Sequence, residues 1–390
     1  MSFLTWRFFR RLEVCLCGVS ILIAARWGPD SQAFVLNTLY LMQEEEFSQI
    51  IDSISDELWQ EHLSIGNVES VKIEKIIQSK YSRIAKCVVR GSNASSNIYV
   101  KVYKNDKSLP PEEISRRIQA DYQTLNYYYD RFKRSDRFGV VKPVLFLPDR
   151  HALITQEAAG KTLYHIISQS CKYFAPEKKL KRVGSFMNRV GAWLRYFQSL
   201  DNSQPEQYSV KTLVEYIIVR LNILVENLLM PDAPLYRDRI MDYFERNQGR
   251  VECEELYLKP SHNDFNLGNI IIQNDLVTVL DFSKIRRDSF LVDLSRIYHQ
   301  LFLMTFKFQY RKNTIKGLQG ELLEGFEMPD ADQLMLFRFL LIRHTLTHLL
   351  GVVRSRERSL TAKMYNRWVI NRELRFLNSI LSDKEIRSNN

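Results

Sequence analysis

Between Ser261 and Phe282 the chain reads S-H-N-D-F-N-L-G-N-I-I-I-Q-N-D-L-V-T-V-L-D-F, and this stretch constrains the fold more than any other. Two short apolar runs, Ile270 to Gln273 and Val277 to Leu280, flank Asn274-Asp275, which predicts a β-hairpin. A hairpin returns the chain to its starting end. Asn269, just before the first strand, and Asp281, just after the second, should therefore meet. His262 and Asp264 lie on the loop that feeds the hairpin. Asn, Asp and Gly also build ordinary turns, so a plain connection between strands is the competing reading. A plain turn has no need to bring two carboxylates and an amide to one place.

Those residue types suit phosphoryl transfer, where an enzyme mostly positions groups and neutralises charge. Asp264 would accept the hydrogen bond, and then the proton, of an attacking hydroxyl. Asn269 and Asp281 offer the hard oxygen ligands that Mg²⁺ takes, with the phosphates of ATP completing its shell. His262 would either bond backbone and hold Asp264 in place, or simply pack. Asp293, in Asp293-Leu294-Ser295-Arg296 at the start of a helical pattern, would brace the loop or lie exposed.

Upstream, the period of the sequence changes twice. Residues from about Ser31 to Glu61 carry Phe47, Ile50, Ile51 and Ile54 as one helical stripe. From Ser70, three runs rich in Val, Ile and Tyr (Val71 to Gln78, Ile84 to Arg90, Asn97 to Lys104) predict a small antiparallel sheet. Within the third run, Ile98, Val100 and Val102 share one face, and Tyr99, Lys101 and Tyr103 the other. Lys101 is the candidate for a point charge on nucleotide phosphates, against the reading of a solvated strand lysine. Pro110-Pro111 starts a helix whose Asp121 is the proposed partner of Lys101, or an exposed helix carboxylate. Pro148-Asp149-Arg150 marks a further hairpin, and Glu157 opens the link to helical sequence, where backbone groups would hold an adenine edge. Beyond Leu163 the pattern is mainly helical, with Trp193, Leu194, Phe197 and Leu200 on one stripe and a longer apolar helix over Thr212 to Leu229.

The chain has 390 residues, 45% hydrophobic and 26% charged, enough for two lobes with real cores and unlike a disordered protein. A net charge of +10 favours anionic partners. The cysteines Cys15, Cys17, Cys87, Cys171 and Cys253 are scattered and read as reduced thiols. Arg7, Arg10 and Arg11 precede an apolar run, Val14 to Ala25, with signal-peptide rather than membrane-span length. Three readings compete there: a signal or anchor, an amphipathic surface helix, or residues ahead of the true start. The expectation is a cytoplasmic catalytic body, with peripheral membrane contact through this end as the second reading.

The runs His262 to Asn269, Val279-Leu280-Asp281-Phe282 and Val292 to Arg296 together resemble the aminoglycoside/choline kinase-like phosphotransferase family. Lys101, Asp121, Glu157 to Leu163 and Val190 to Leu194 follow in that family's order. The resemblance spans roughly Ser70 to Leu301 and implies an α+β, protein-kinase-like fold with two lobes. The expected organisation is a helical extension over 1–69, a β-rich nucleotide lobe over 70–157 and a helical lobe over 158–390. It further implies ATP and Mg²⁺ as cofactors and transfer to a hydroxyl of a small molecule, a sugar or a glycan. Asn263 departs from the family's Gly, Ser283 stands where a protein kinase has Gly, and no Gly-rich loop is visible at Gln78 to Arg83.

Charge decides the expected acceptor. Lys284, Arg286 and Arg287 follow the catalytic strand, and Arg343, Arg354, Arg367, Arg372 and Arg375 lie in the last helices. A basic acceptor side suits a neutral or anionic sugar better than a polycationic antibiotic, and a solvated basic helix face is the plain alternative. No specific nucleic-acid partner is expected, since no recognition module accompanies the charge. The alternatives are a kinase of lipopolysaccharide sugars and a catalytically inactive, kinase-like interaction protein.

Overall fold

The computed structural model describes residues 43–382 apart from 79–81, 105–108, 205, 227–231, 253, 255 and 355–358. The chain forms two compact units, one of residues up to Arg134 with Val140–Ala158, the other of Ser135–Gly139 with Ala159 onward. The architecture is α+β: a five-stranded antiparallel sheet in the first unit and a mainly helical second unit. That is the arrangement implied by the motifs.

In the first unit, β1 (Val68–Gln78), β2 (Ser82–Gly91) and β3 (Ser95–Tyr103) form a meander. β3 then pairs with β6 (Ala152–Gln156), and β6 with β5 (Pro143–Leu147), giving the order β1-β2-β3-β6-β5. The period of two works as expected: Ile98, Val100 and Val102 of β3 are buried beside Ala85, Cys87 and Val89 of β2. Helix α1 (residues 43–52) and helix α2 (Asp56–Leu63) close this face, burying Phe47, Ile50, Ile51, Ile54, Trp59 and Leu63 in the same core. The described part of the expected 1–69 extension thus supplies one side of the sheet's core. On the opposite face, α3 (Pro111–Phe132) sets Ile114 and Ile118 against Leu153, with Tyr103, Tyr122 and Phe146 around them.

In the second unit, β9 (Ile270–Gln273) and β10 (Leu276–Val279) form the expected hairpin around Asn274-Asp275. β4 (Phe138–Val140) and β7 (Lys161–Thr162) extend it to the order β4-β10-β9-β7. A two-stranded sheet joins β8 (Leu258–Ser261) to β11 (Arg286–Ser289). Helices α4 (Leu163–Ser170), α5 (Glu177–Ser199), α6 (Val210–Glu226) and α7 (Ala233–Glu252) precede the loop, and the expected end of α6 at Met230-Pro231 lies outside the described residues. Helices α8 (Val292–Met304), α9 (Lys312–Gly325), α10 (Met335–Arg354) and α11 (Leu360–Leu381) follow it.

α5 and α9 cross closely, since a Cβ on Gly325 would overlap the Asn188 carbonyl and one on Gly191 the Leu322 carbonyl. Among the described residues, α10 is the one helix long and apolar enough to cross a membrane, but most of it is buried inside this unit. Its Phe337, Leu340, Leu341, Ile342 and Leu346 are core side chains. Among the described cysteines, Cys87 and Cys171 are buried free thiols.

Candidate active site

The loop begins where β8 ends. Asn263 adopts φ 56°, the left-handed region that Gly enters freely and that Asn tolerates better than most side chains. Its side-chain amide donates to the Ser261 carbonyl at 3.2 Å. Two consecutive backbone N–H groups, of His262 and Asn263, point at the two oxygens of Asp293, at 2.5 and 2.9 Å. Asp293 is fully buried at the start of α8, so the bracing reading holds and the exposed one falls. Burial pushes its carboxyl up to about 6, against the pull of the His262 hydrogen bond and the Arg296 charge.

His262 is also fully buried. Its Nδ1 accepts the Asp264 N–H at 3.2 Å, and its Nε2 lies 2.9 Å from the Leu280 carbonyl, which fixes the neutral form protonated at Nε2. Burial lowers its pKa to about 4. Its ring packs near Phe265 and edge-on to Phe282. Trp193 stacks on Phe265 and Phe197 and donates to the Gly139 carbonyl at 2.9 Å, so the helical stripe read from the sequence is the floor under this loop. With both nitrogens engaged and the ring buried, His262 bonds backbone on either side and holds the Asp264 N–H, which is the hydrogen-bonding alternative read from the sequence.

Asp264 keeps 18% of its side chain exposed. Arg296 donates to Oδ1 and Lys284 to Oδ2, each at 2.8 Å. Arg296 also donates to the Asn263 carbonyl at 3.0 Å, tying α8 to the loop a second time. The Asp264 carbonyl accepts the side-chain amides of Asn266 and Asn269, at 2.8 and 3.0 Å. Asn269 spends its side-chain nitrogen inside the loop, on the Asp264 carbonyl. The hairpin then works as its spacing predicts: Leu280 N–H donates to the Asn269 carbonyl at 2.9 Å, which sets Asp281 beside Asn269. Asp281 itself has φ 60°, and its Oδ1 accepts the Ser283 hydroxyl at 2.8 Å.

Arg296, Asn266 and Ser283 contact these residues though the sequence reading gave them no role, and Lys284, read only as part of a basic acceptor side, pairs with Asp264 itself. Arg296 stands three positions after Asp293 on one helix, a same-face spacing that would have flagged it. Lys284, three residues past Asp281, was legible as a charge but not as the partner of Asp264.

The remaining candidates lie in the first unit. Lys101 sits on β3 opposite Ile84 and Leu153, with its ammonium 4.9 Å from the Tyr103 ring centroid. Asp121, on α3, accepts the Tyr103 hydroxyl at 3.3 Å, so Lys101 and Asp121 both contact one tyrosine. The Glu157 N–H donates to the Asn97 carbonyl at 2.8 Å. Its carboxylate takes hydrogen bonds from Asn97 at 2.6 Å and Tyr99 at 3.0 Å, and an ion pair with Lys86 at 3.1 Å. Burial opposes ionisation there, yet those donors hold the Glu157 carboxyl below its usual range.

The basic acceptor side is not realised as expected. Arg286 pairs with Asp288, Arg287 with Asp201 and Glu206, and Arg343 lies buried against Asp288 at 3.3 Å. These arginines cross-link β11, α10 and the segment after α5. Lys284 alone of that run reaches the loop.

No family model matches the sequence, and no curated protein matches it. Solved structures do. A thermostable mutant of aminoglycoside phosphotransferase APH(4)-Ia is 14% identical, with 84% of this chain and 98% of that one covered and a TM-score of 0.49. A glucosamine kinase is 12% identical over 85% and 99%, also at 0.49. A choline/ethanolamine kinase family protein from Mesorhizobium loti is 14% identical over 81% and 90%, at 0.46.

Proposed function

We propose that this chain is an ATP-dependent phosphotransferase that moves the γ-phosphoryl group to a hydroxyl of a small molecule, with a sugar or glycan as the acceptor. The supporting observation is the hairpin end that carries the exposed edge of Asp264 together with Asn269 and Asp281. Asp264 accepts the hydrogen bond of the acceptor hydroxyl and takes its proton as the new O–P bond forms and the bond to the ADP oxygen breaks. Arg296 and Lys284 hold the two oxygens of that carboxylate, while His262 and Asp293 fix the backbone beneath it.

Asn269 and Asp281 are hard oxygen donors and fit magnesium. Among the described residues no group of three His, Cys, Asp or Glu side chains could hold a metal alone, so the ion would arrive with the nucleotide. When bound, it supplies positive charge to the phosphate oxygens. In this reading Lys101, Asp121 and Glu157 belong to the nucleotide side. The acceptor preference rests on the two cations beside Asp264, which disfavour a polycationic substrate. A lipopolysaccharide sugar is the narrower candidate. Peripheral membrane contact through the N-terminal run concerns residues outside the described ones and remains part of the proposal, with a cytoplasmic location.

The test is a phosphorylation assay across sugar, choline and aminoglycoside panels, with purified Asp264→Asn as the blank and a thermal shift with ATP and Mg²⁺ alongside. Turnover absent in the variant, with its nucleotide shift retained, supports the assignment. No nucleotide shift and no turnover in the wild type would leave the inactive interaction protein as the better reading.

A further inference from the structure

Two phenylalanines of the helical unit stand almost wholly in solvent, Phe174 at 88% and Phe308 at 94% exposed. A side chain of that size normally contributes to a core or an interface, and two on one face mark a contact surface. They sit at the tips of separate turns, one between α4 and α5, the other between α8 and α9. The turns adjoin: both residues line one groove of about 570 Å³ with Tyr173, Ala175 and Pro176. Arg311, from the second turn, lies 4.4 Å from the Tyr173 ring of the first. On α11 of the same unit Leu360, Met364 and Trp368 are also exposed, Trp368 with its ring 5.9 Å from the buried Phe306.

Charge surrounds these tips. Lys172 and Lys179 line the groove, and Lys178, Arg182 and Lys312 are exposed beside it. The one acid of the first turn, Glu177, is paired with Lys181 at 2.8 Å. A second copy of the chain would bring like charges together here. Protruding aromatics ringed by lysine and arginine are instead complementary to an anionic bilayer, where rings enter the acyl boundary and cations meet phosphates.

We infer that the face around Phe174 and Phe308 docks on anionic phospholipid membranes. The docking does not depend on the phosphotransfer reading. Its position matters to that reading, because Lys307 donates to the Tyr164 hydroxyl at 2.8 Å and the Tyr164 N–H donates to Leu267 of the loop at 2.9 Å. An acceptor carried at the membrane surface would thus arrive beside the loop that holds Asp264.

The test is co-sedimentation of the full chain with phosphatidylglycerol-containing vesicles and with pure phosphatidylcholine vesicles. The wild type should bind the anionic vesicles only and release at about 0.5 M salt. The double variant Phe174→Asp/Phe308→Asp, and separately Lys172→Glu/Lys179→Glu, should cut the bound fraction by about tenfold or more with an unchanged melting temperature. Binding retained by the aspartate pair would overturn the inference and move the contact to the N-terminal run. Equal binding to neutral vesicles would also overturn it, as would a concentration-dependent dimer lost in Phe308→Asp.

Discussion

The Asp293 carboxylate accepts the His262 backbone N–H at 2.5 Å, wholly out of solvent and across 31 residues of sequence. That bond makes the start of a helix, and not the loop itself, the reference for where Asp264 points. Asp293→Asn would replace one acceptor by an amide donor facing an N–H, at a cost of about 1–3 kcal/mol.

Its pH dependence has a definite sign. Burial raises the folded pKa of Asp293 to about 6, from roughly 3.9 unfolded, so its contribution is complete at low pH and is lost as pH rises through about 6. Asn does not titrate. The gap in melting temperature between wild type and Asp293→Asn should therefore narrow from about pH 4 to about pH 6. His262, lowered to about 4, acts oppositely, since neutralising the unfolded histidine restores stability as pH rises toward roughly 6.5. The variant should thus show a melting temperature that climbs across that window more steeply than the wild type's. A widening gap would mean that the hydrogen bonds outweigh desolvation at Asp293.

Asn263 tests the backbone. At φ 56° Asn263→Ala should lower stability by about 1–2 kcal/mol, whereas Asn263→Gly should stay within several tenths of wild type. Denaturant midpoints of the two variants check this. Equal losses would trace the effect to the Ser261 hydrogen bond instead.

Lys284 tests the chemistry. Its side chain is 54% exposed, so Lys284→Met should leave the melting temperature unchanged. If Asp264 works as proposed, kcat should fall by about 10- to 100-fold with little change in KM for ATP. Steady-state kinetics together with melting curves separate this from a mere strut, for which both stability and KM would move.

Two glycines on α9 form an internal control. Gly325→Ala would drive a methyl into the Asn188 carbonyl and should be strongly destabilising, by about 3 kcal/mol or more. Gly320→Ala meets nothing within 4 Å and should be neutral or stabilising by about 0.5–1 kcal/mol. Chemical denaturation of both variants decides whether the helix crossing is as tight as its geometry indicates.

Legibility in the sequence followed locality. The hairpin, the meander of β1 to β3 and the alternation of Ile98, Val100 and Val102 are short-range patterns, and each is present as read. Phe47, Ile50, Ile51 and Ile54 were legible as a helical stripe but not as the lid of a sheet, because the partner surface lies at residues 85–102. Arg287 and Arg343 looked like an acceptor surface for the same reason: their partners Asp201 and Asp288 are distant in sequence, and composition counts an ion pair as two loose charges.

The β9–β10 hairpin has one further consequence. Asn269 and Asp281 stand at the end of the ladder away from the turn, tied by the Leu280 N–H to the Asn269 carbonyl, while Asn274-Asp275 forms the turn itself, where Arg189 pairs with Asp275. The number of residues between Asn269 and Asp281 is therefore free to vary without moving either one. Additions at the tip lengthen a surface loop, and residues added in matched pairs lengthen both strands together. A single extra residue inside one strand would instead turn every following side chain over and carry Asp281 to the wrong face. Insertion scanning should find tolerance at the tip and loss within the strands, and a motif search that fixes the Asn-to-Asp spacing will miss chains built on the same site.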